Sequence, residues 1–182
     1  MFTYFIGIGS NISPTRHIPA AIDILLNTSK NLAISRIIQT APVGLLDSRN
    51  YFLNLAVMIK SSLVAPALKD RLNEIEFKLG RDRKDPDRKV KDSTIDLDIL
   101  FHFEGKQRTI LPSSLPDEPY LQVPLIELIH FLGYQCTVRN QTTPLGVGLN
   151  FQDIVLGESE MSLGRNTEGH LVQGAYLTAF DF

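Results

Sequence analysis

The chain has 182 residues, 43% of them apolar, and its 18 basic and 20 acidic side chains leave a formal charge of −2. That supports one continuous core, so a single domain over residues 1–182 is expected. A balance so near neutral gives no whole-molecule reason to bind nucleic acid or an anionic membrane, and the lone Cys136 excludes an internal disulfide.

Residues 3–9 form an apolar run with Gly7 and Gly9 near its end, too short and lacking the basic start of a signal peptide, and the run reads as a first strand. No segment approaches the roughly 20 apolar residues of a membrane helix, and a cytoplasmic monomer acting on small molecules is expected. The turn from Ser10 to Pro14 leads into a helix with Ile18, Ile22, Leu25 and Leu26 on one side. Strands follow from Leu32 to Thr40 and from Tyr51 to Lys60, paired antiparallel across a Pro/Gly/Asp-rich loop. Pro66 opens a second helix that presents Leu68, Leu72, Ile75 and Leu79 and ends at Gly80.

Residues 81–93 are a charged loop, and Thr94 to Phe103 is the most strongly patterned strand. The order βαββαβ predicts an α+β sandwich with both helices on one face of a mainly antiparallel sheet. A proline-rich loop over 111–119 precedes a short helix near Pro124–Phe131, and the tail from Gly133 has room for a hairpin or short strands.

Side chains alternate along a strand, so Ile95, Leu97, Ile99 and Phe101 are expected on one face and Asp96, Asp98 and Leu100 on the other. Two carboxylates at i and i+2, about 7 Å apart at Cα, repel each other and call for a cation. Magnesium takes such carboxylates together with substrate phosphates. The alternative is that the aspartates are solvated on a wet sheet face, or paired with Lys and Arg.

The preceding loop carries Arg81, Arg83, Lys84, Arg88, Lys89 and Lys91, which could neutralise phosphates, diluted by Asp82, Asp85, Asp87 and Asp92. Gly7-Ile8-Gly9-Ser10 has neither the Gly-Lys-Ser/Thr of a P-loop nor a complete dinucleotide fingerprint, and reads as a tight strand exit. Phe52 and Tyr120, near loop ends, could sandwich a flat heterocycle or pack as ordinary aromatics.

Tyr4-Phe5-Ile6-Gly7-Ile8-Gly9-Ser10-Asn11, Phe52-Leu53-Asn54-Leu55-Ala56-Val57, Glu74-Ile75-Glu76 with Leu79-Gly80-Arg81-Asp82-Arg83, and Thr94-Ile95-Asp96-Leu97-Asp98-Ile99-Leu100 occur in this order. Together they resemble the 6-hydroxymethyl-7,8-dihydropterin pyrophosphokinases over roughly residues 3–130. The resemblance implies a ferredoxin-like three-layer αβα sandwich. It also implies transfer of the β,γ-diphosphate of MgATP to the pterin hydroxymethyl group, releasing AMP, in folate biosynthesis.

By the same resemblance Asp96 and Asp98 bind two Mg²⁺ ions, and Thr40, Phe52, Asn54 and Tyr120 form the pterin pocket. Asn73, Glu76, Lys91 and Thr109 fall on the nucleotide side, and Arg81 and Arg83 start a catalytic loop.

The chain also departs from the pattern. Ser93 stands where the family usually has an arginine, Pro112 where it has a histidine, and Glu118 where it has a second arginine. Lys89, Lys91, Arg108 or His102 are the candidates to compensate. The departures leave two readings open, an active enzyme and a paralogue that binds pterin or nucleotide without turnover.

Overall fold

The computed structural model describes residues 1–43, 50–83, 86, 92–140, 142 and 144–174. The elements in chain order are β1 (Phe2–Ser10), α1 (Pro14–Ser29), β2 (Asn31–Ile34), β3 (Ile38–Thr40), β4 (Phe52–Ser61) and α2 (Ala65–Lys78). They continue with β5 (Asp96–Glu104), α3 (Pro119–Phe131), β6 (Leu149–Phe151), β7 (Ile154–Leu156), β8 (Met161–Arg165) and β9 (Leu171–Gln173).

The main sheet has strand order β5-β1-β4-β2-β8-β9, with β3 also pairing β4, and its pairings are antiparallel. β1 lies between β4 and β5, so it sets the register of both neighbours. Its alternation divides the core. Tyr4, Ile6 and Ile8 pack with Ile18, Ile22, Leu25 and Leu26 of α1 and Leu68, Leu72 and Ile75 of α2. Phe5, on the opposite face, packs with Ala56 and Met58 and with Leu125, Ile126, Leu128 and Ile129 of α3. The result is the expected α+β sandwich, with α1 and α2 on one face of the sheet and α3 on the other. Each fully buried aliphatic side chain contributes about 1.5–3 kcal/mol, which commits both sheet faces to their helices.

The expected strand from Leu32 to Thr40 is broken in two. Ser35 leaves the ladder: its N–H donates to Ala56 O at 2.9 Å while its Oγ accepts from Ala56 N at 2.9 Å. Ile37 instead bonds the tail, donating to Gly157 O at 3.0 Å and accepting from Val147 N at 2.8 Å. The break turns Arg36 toward α3, where its Nη2 donates to Glu127 Oε1 at 2.7 Å and its Nε to Glu127 Oε2 at 3.2 Å. That bidentate pair fixes α3 against the sheet.

Two further expectations are corrected. Phe101 does not share a face with Ile95, Leu97 and Ile99: the register steps from Ile6↔Ile99 to Phe5↔Phe101, leaving Leu100 as the extra residue of a β-bulge. Beyond the bulge the alternation inverts, Phe101 stacks on Phe5 at 4.5 Å, and His102 stacks on Tyr4 at 5.0 Å on the other face. The third helix starts at Pro119 rather than near Pro124. Pro119 supplies the preset φ of a first helical position, and the interior Pro124 removes only the donor that would have reached the Tyr120 carbonyl.

The tail resolves into the β6/β7 hairpin and β8, which pairs β2 from Asn31↔Gly164 to Ile34↔Met161 and so extends the sheet.

Candidate functional site

On the α3 face, β1 loses its side chains toward its C-terminal end, where Phe5 gives way to Gly7 and Gly9. Gly7 stands opposite Ala56 and Asp98, and Gly9 opposite Asn54 and Asp96. These two bare positions are the floor of a cavity of about 560 Å³. A Cβ at Gly9 would lie 2.9 Å from Asn54 Oδ1, and one at Gly7 would lie 3.0 Å from Leu121 Cδ2 of α3. The glycines sit inside β1 and leave room above the sheet, which replaces the expectation of a tight strand exit.

The β3/β4 wall holds Thr40, Phe52 and Asn54. Asn54 is 2% exposed, and its Nδ2 donates to Thr40 Oγ1 at 2.8 Å, which fixes the amide orientation. The first turn of α3 brings Tyr120 and Leu121 over the floor, with Glu118 just before it.

The opposite wall is ionic. Asp96 and Asp98 project from β5 on the face of Gly7 and Gly9, as strand alternation predicts. Arg81 Nη2 lies 3.1 Å from Asp96 Oδ1, and Arg81 Nη1 donates to Ile95 O at 3.0 Å and to Ser93 Oγ. Gly80, at φ +87, lets the chain leave α2 in the left-handed conformation that delivers Arg81 there. Ser93 is held from β1: its N–H donates to Asn11 Oδ1 at 2.7 Å, and Ser10 Oγ donates to Thr94 O at 2.5 Å. The Ser10-Asn11 pair thus latches the start of β5.

Glu76 stands behind this wall with no exposure. Its Oε1 accepts from Leu97 N at 2.7 Å and its Oε2 from Arg83 Nε. β5 is the outermost strand on its side, so Leu97 would present an unpaired N–H and C=O outward. Glu76 takes the N–H, and Lys69 of α2 takes the C=O, Nζ to Leu97 O at 2.8 Å. The same Nζ reaches Asp98 Oδ1 at 2.5 Å. Lys69, Asn73 and Glu76 lie at helical spacing beside the apolar stripe of α2. That spacing is the sequence signal that could have singled out Lys69.

Burial, together with repulsion from Asp98, pushes the Asp96 carboxyl up to about 6 against the pull of Arg81. Burial also raises the Tyr120 phenol, helped by the negative charge of Glu118, Asp96 and Asp98. The bond to Glu76 raises Arg83, which therefore stays cationic.

Asp96, Asp98, Arg81, Arg83, Thr40, Phe52, Asn54 and Tyr120 all line the one cavity, and so do Ser93 and Glu118. Asn73 and Glu76 do not line it, and Asn73 Oδ1 is buried with no hydrogen-bond partner. Thr109 lies beyond the far end of β5, in a bridge to Gln135. Arg108 lines a different, smaller cavity with Met1 and Lys60. His102 stacks on Tyr4 on the α1/α2 face, and neither it nor Arg108 lines the cavity of Asp96 and Asp98. Lys89 and Lys91 lie outside the described residues.

The donor set fits magnesium. Asp96 and Asp98 offer hard oxygen ligands that are 39% and 56% exposed toward the cavity. Among the described residues no group of three or more His, Cys, Asp or Glu side chains is placed to hold a metal ion by itself.

A family model for 7,8-dihydro-6-hydroxymethylpterin-pyrophosphokinase (HPPK) matches residues 5–130. The chain belongs to this family. Among curated proteins none matches it significantly. The matched span runs from within β1 to near the end of α3 and contains the whole cavity, while β6 to β9 lie beyond it. HPPK members are pterin pyrophosphokinases of folate biosynthesis that use ATP and Mg²⁺.

Proposed function

We propose that the protein transfers the β,γ-diphosphate of MgATP to 6-hydroxymethyl-7,8-dihydropterin. The pterin hydroxymethyl oxygen bonds to the β-phosphorus, the bond from that phosphorus to the α,β-bridging oxygen breaks, AMP leaves, and the hydroxyl proton is released. The observation that carries this reading is the convergence of a neutral, aromatic-flanked amide and a carboxylate pair on opposite walls of one cavity.

Phe52 and Tyr120 would stack on the faces of the pterin ring, and Asn54, oriented by Thr40, would bond its edge. Asp96 and Asp98 would hold two magnesium ions, which when bound supply positive charge to the triphosphate oxygens. Arg81 and Arg83, set by Glu76, would hold the phosphates in line with the hydroxyl. Tyr120 and Leu121 overhang part of the cavity and would shield one side of the reacting phosphorus from water.

A second reading, binding without turnover, is favoured by Ser93 and Glu118, which give the cavity a hydroxyl and a carboxylate where phosphate-binding cations would be useful.

The test is AMP formation from ATP. AMP should appear only with both 6-hydroxymethyl-7,8-dihydropterin and Mg²⁺ present, and Asp96→Ala or Asp98→Ala should lower the rate roughly a thousandfold. Folded protein that binds pterin but makes no AMP at high concentration selects the second reading; failure to bind either ligand overturns both.

A further inference from the structure

Lys69 sits on α2 outside the cavity wall, yet its ammonium touches the cavity's chemistry, 2.5 Å from Asp98 Oδ1 and 2.8 Å from Leu97 O. The bond to Leu97 O caps the edge of β5, for which a neutral donor would serve equally well. The bond to Asp98 needs explanation because it places a fixed positive charge on a carboxylate that the proposed reaction gives to magnesium. The pair is also easily opened: the two side chains are 31% and 56% exposed, so water screens it, and a lysine stem is flexible.

The other cations at the wall are more committed. Arg81 is anchored on Ser93, Ile95 O and Asp96, and Arg83 on the fully buried Glu76, so each offers a phosphate only the nitrogens left over, such as Arg81 Nε and Arg83 Nη2, without leaving its place. Re-aiming either would leave buried acceptors unpaired, which is costly. Re-aiming Lys69 leaves Asp98 to its metal and Leu97 O at a solvent-facing edge.

We propose that Lys69 is a phosphate-binding residue of this site, held on Asp98 until a divalent cation displaces it toward the donor's phosphate chain. The proposal rests on the diphosphate-transfer reading above. In the metal-free protein Lys69 neutralises Asp98 and so reduces its repulsion with Asp96. A divalent cation held by Asp98 would take the place of the ammonium and repel it, leaving Lys69 to pair with a phosphate bound beside that cation. Lys69 therefore opposes metal binding alone and favours binding of metal and nucleotide together.

Two substitutions and a direct observation test this. Lys69→Gln keeps a donor for Leu97 O without the charge, and Lys69→Arg keeps the charge. Titration of Mn²⁺ alone, followed by electron paramagnetic resonance, should show roughly twofold to fivefold tighter binding in Lys69→Gln. Calorimetric titration of a non-hydrolysable ATP analogue with Mg²⁺ should show roughly tenfold weaker binding in the same variant. Lys69→Arg should stay near wild type in both.

In the wild type, without any substitution, the ¹⁵N resonance of the Lys69 ammonium should shift on adding Mg²⁺ and again on adding the analogue. Unchanged affinities in Lys69→Gln, a loss of both together, or a Lys69 resonance indifferent to both ligands overturns the proposal while leaving the transfer reading intact. Wild-type protein that binds neither Mn²⁺ nor the analogue takes down the transfer reading and this proposal with it.

Discussion

On its β3/β4 side the cavity presents neutral groups, Asn54 bonded to Thr40 with Phe52 beside them, whereas its β5 side presents charges already paired, Asp96 with Arg81, Asp98 with Lys69 and Arg83 with Glu76. The neutral wall spends one internal hydrogen bond on orientation and leaves its remaining polar atoms for a ligand. The ionic wall satisfies its charges on one another, and a ligand must exchange partners with them. On the proposed function, specificity for a flat heterocycle would therefore belong to preset geometry, while affinity for phosphate would depend on how readily ion pairs open.

Removing the support of the ionic wall should have the largest effect. Glu76→Ala strips the acceptor from Arg83 and from Leu97 N at a fully buried position. The cost should be about 3 kcal/mol, read in urea denaturation, with the melting temperature roughly 6–12 °C lower. Activity should fall further than stability explains, because Arg83 loses its anchor. A change within about 0.5 kcal/mol would show that the wall does not depend on Glu76.

The neutral wall is challenged by Gly9→Ala, whose Cβ would lie 2.9 Å from Asn54 Oδ1. The amide must tilt, and pterin affinity, followed by fluorescence titration, should fall roughly tenfold with little change in metal binding. Equal losses for pterin and metal would erase the division between the walls. Thr40→Val removes only the acceptor of Asn54 Nδ2, so about 1 kcal/mol of stability and a smaller loss of pterin affinity are expected.

The smallest effect is on pH dependence. Asp96 titrates near 6 in the folded protein, above the ordinary carboxylate value of 3.8. Between those values the folded chain holds a proton that the unfolded chain has released, so stability is greatest below the lower value and declines as pH rises through the upper one. Asp98→Asn removes the carboxylate that helps raise Asp96. It should therefore lower the Asp96 midpoint in ¹³C-detected titration and flatten the decline. An unmoved midpoint would mean that Asp98 takes no part in setting it.

Much of this was legible from local pattern. The apolar runs of β1, β4 and β5 and the stripe Leu68, Leu72, Ile75 of α2 identify their elements because burial of a regular face is the main local constraint. The shared face of Asp96 and Asp98 follows from strand period alone. The eight residues of the cavity wall that the family resemblance identified also converge. The inverted face of Phe101 was not legible, because a bulge depends on the partner strand's register. Nor was the interruption at Ser35, which appears only when Ala56 arrives to bond Ser35 and Gly157 to bond Ile37.

The amino-acid sequence by itself determined the order of the elements, the faces of β1 and of β5 up to the bulge, and the pairing of two carboxylates on one of those faces. These rest on interactions between residues a few positions apart. Tertiary structure decided which bare stretch of sheet became a floor and that β5 would be an edge. It also decided that Glu76 and Lys69, two turns apart on α2, would satisfy the outward N–H and C=O of one residue, Leu97. Those outcomes depend on groups brought together from distant segments, whose unsatisfied hydrogen bonds exist only once the sheet has formed.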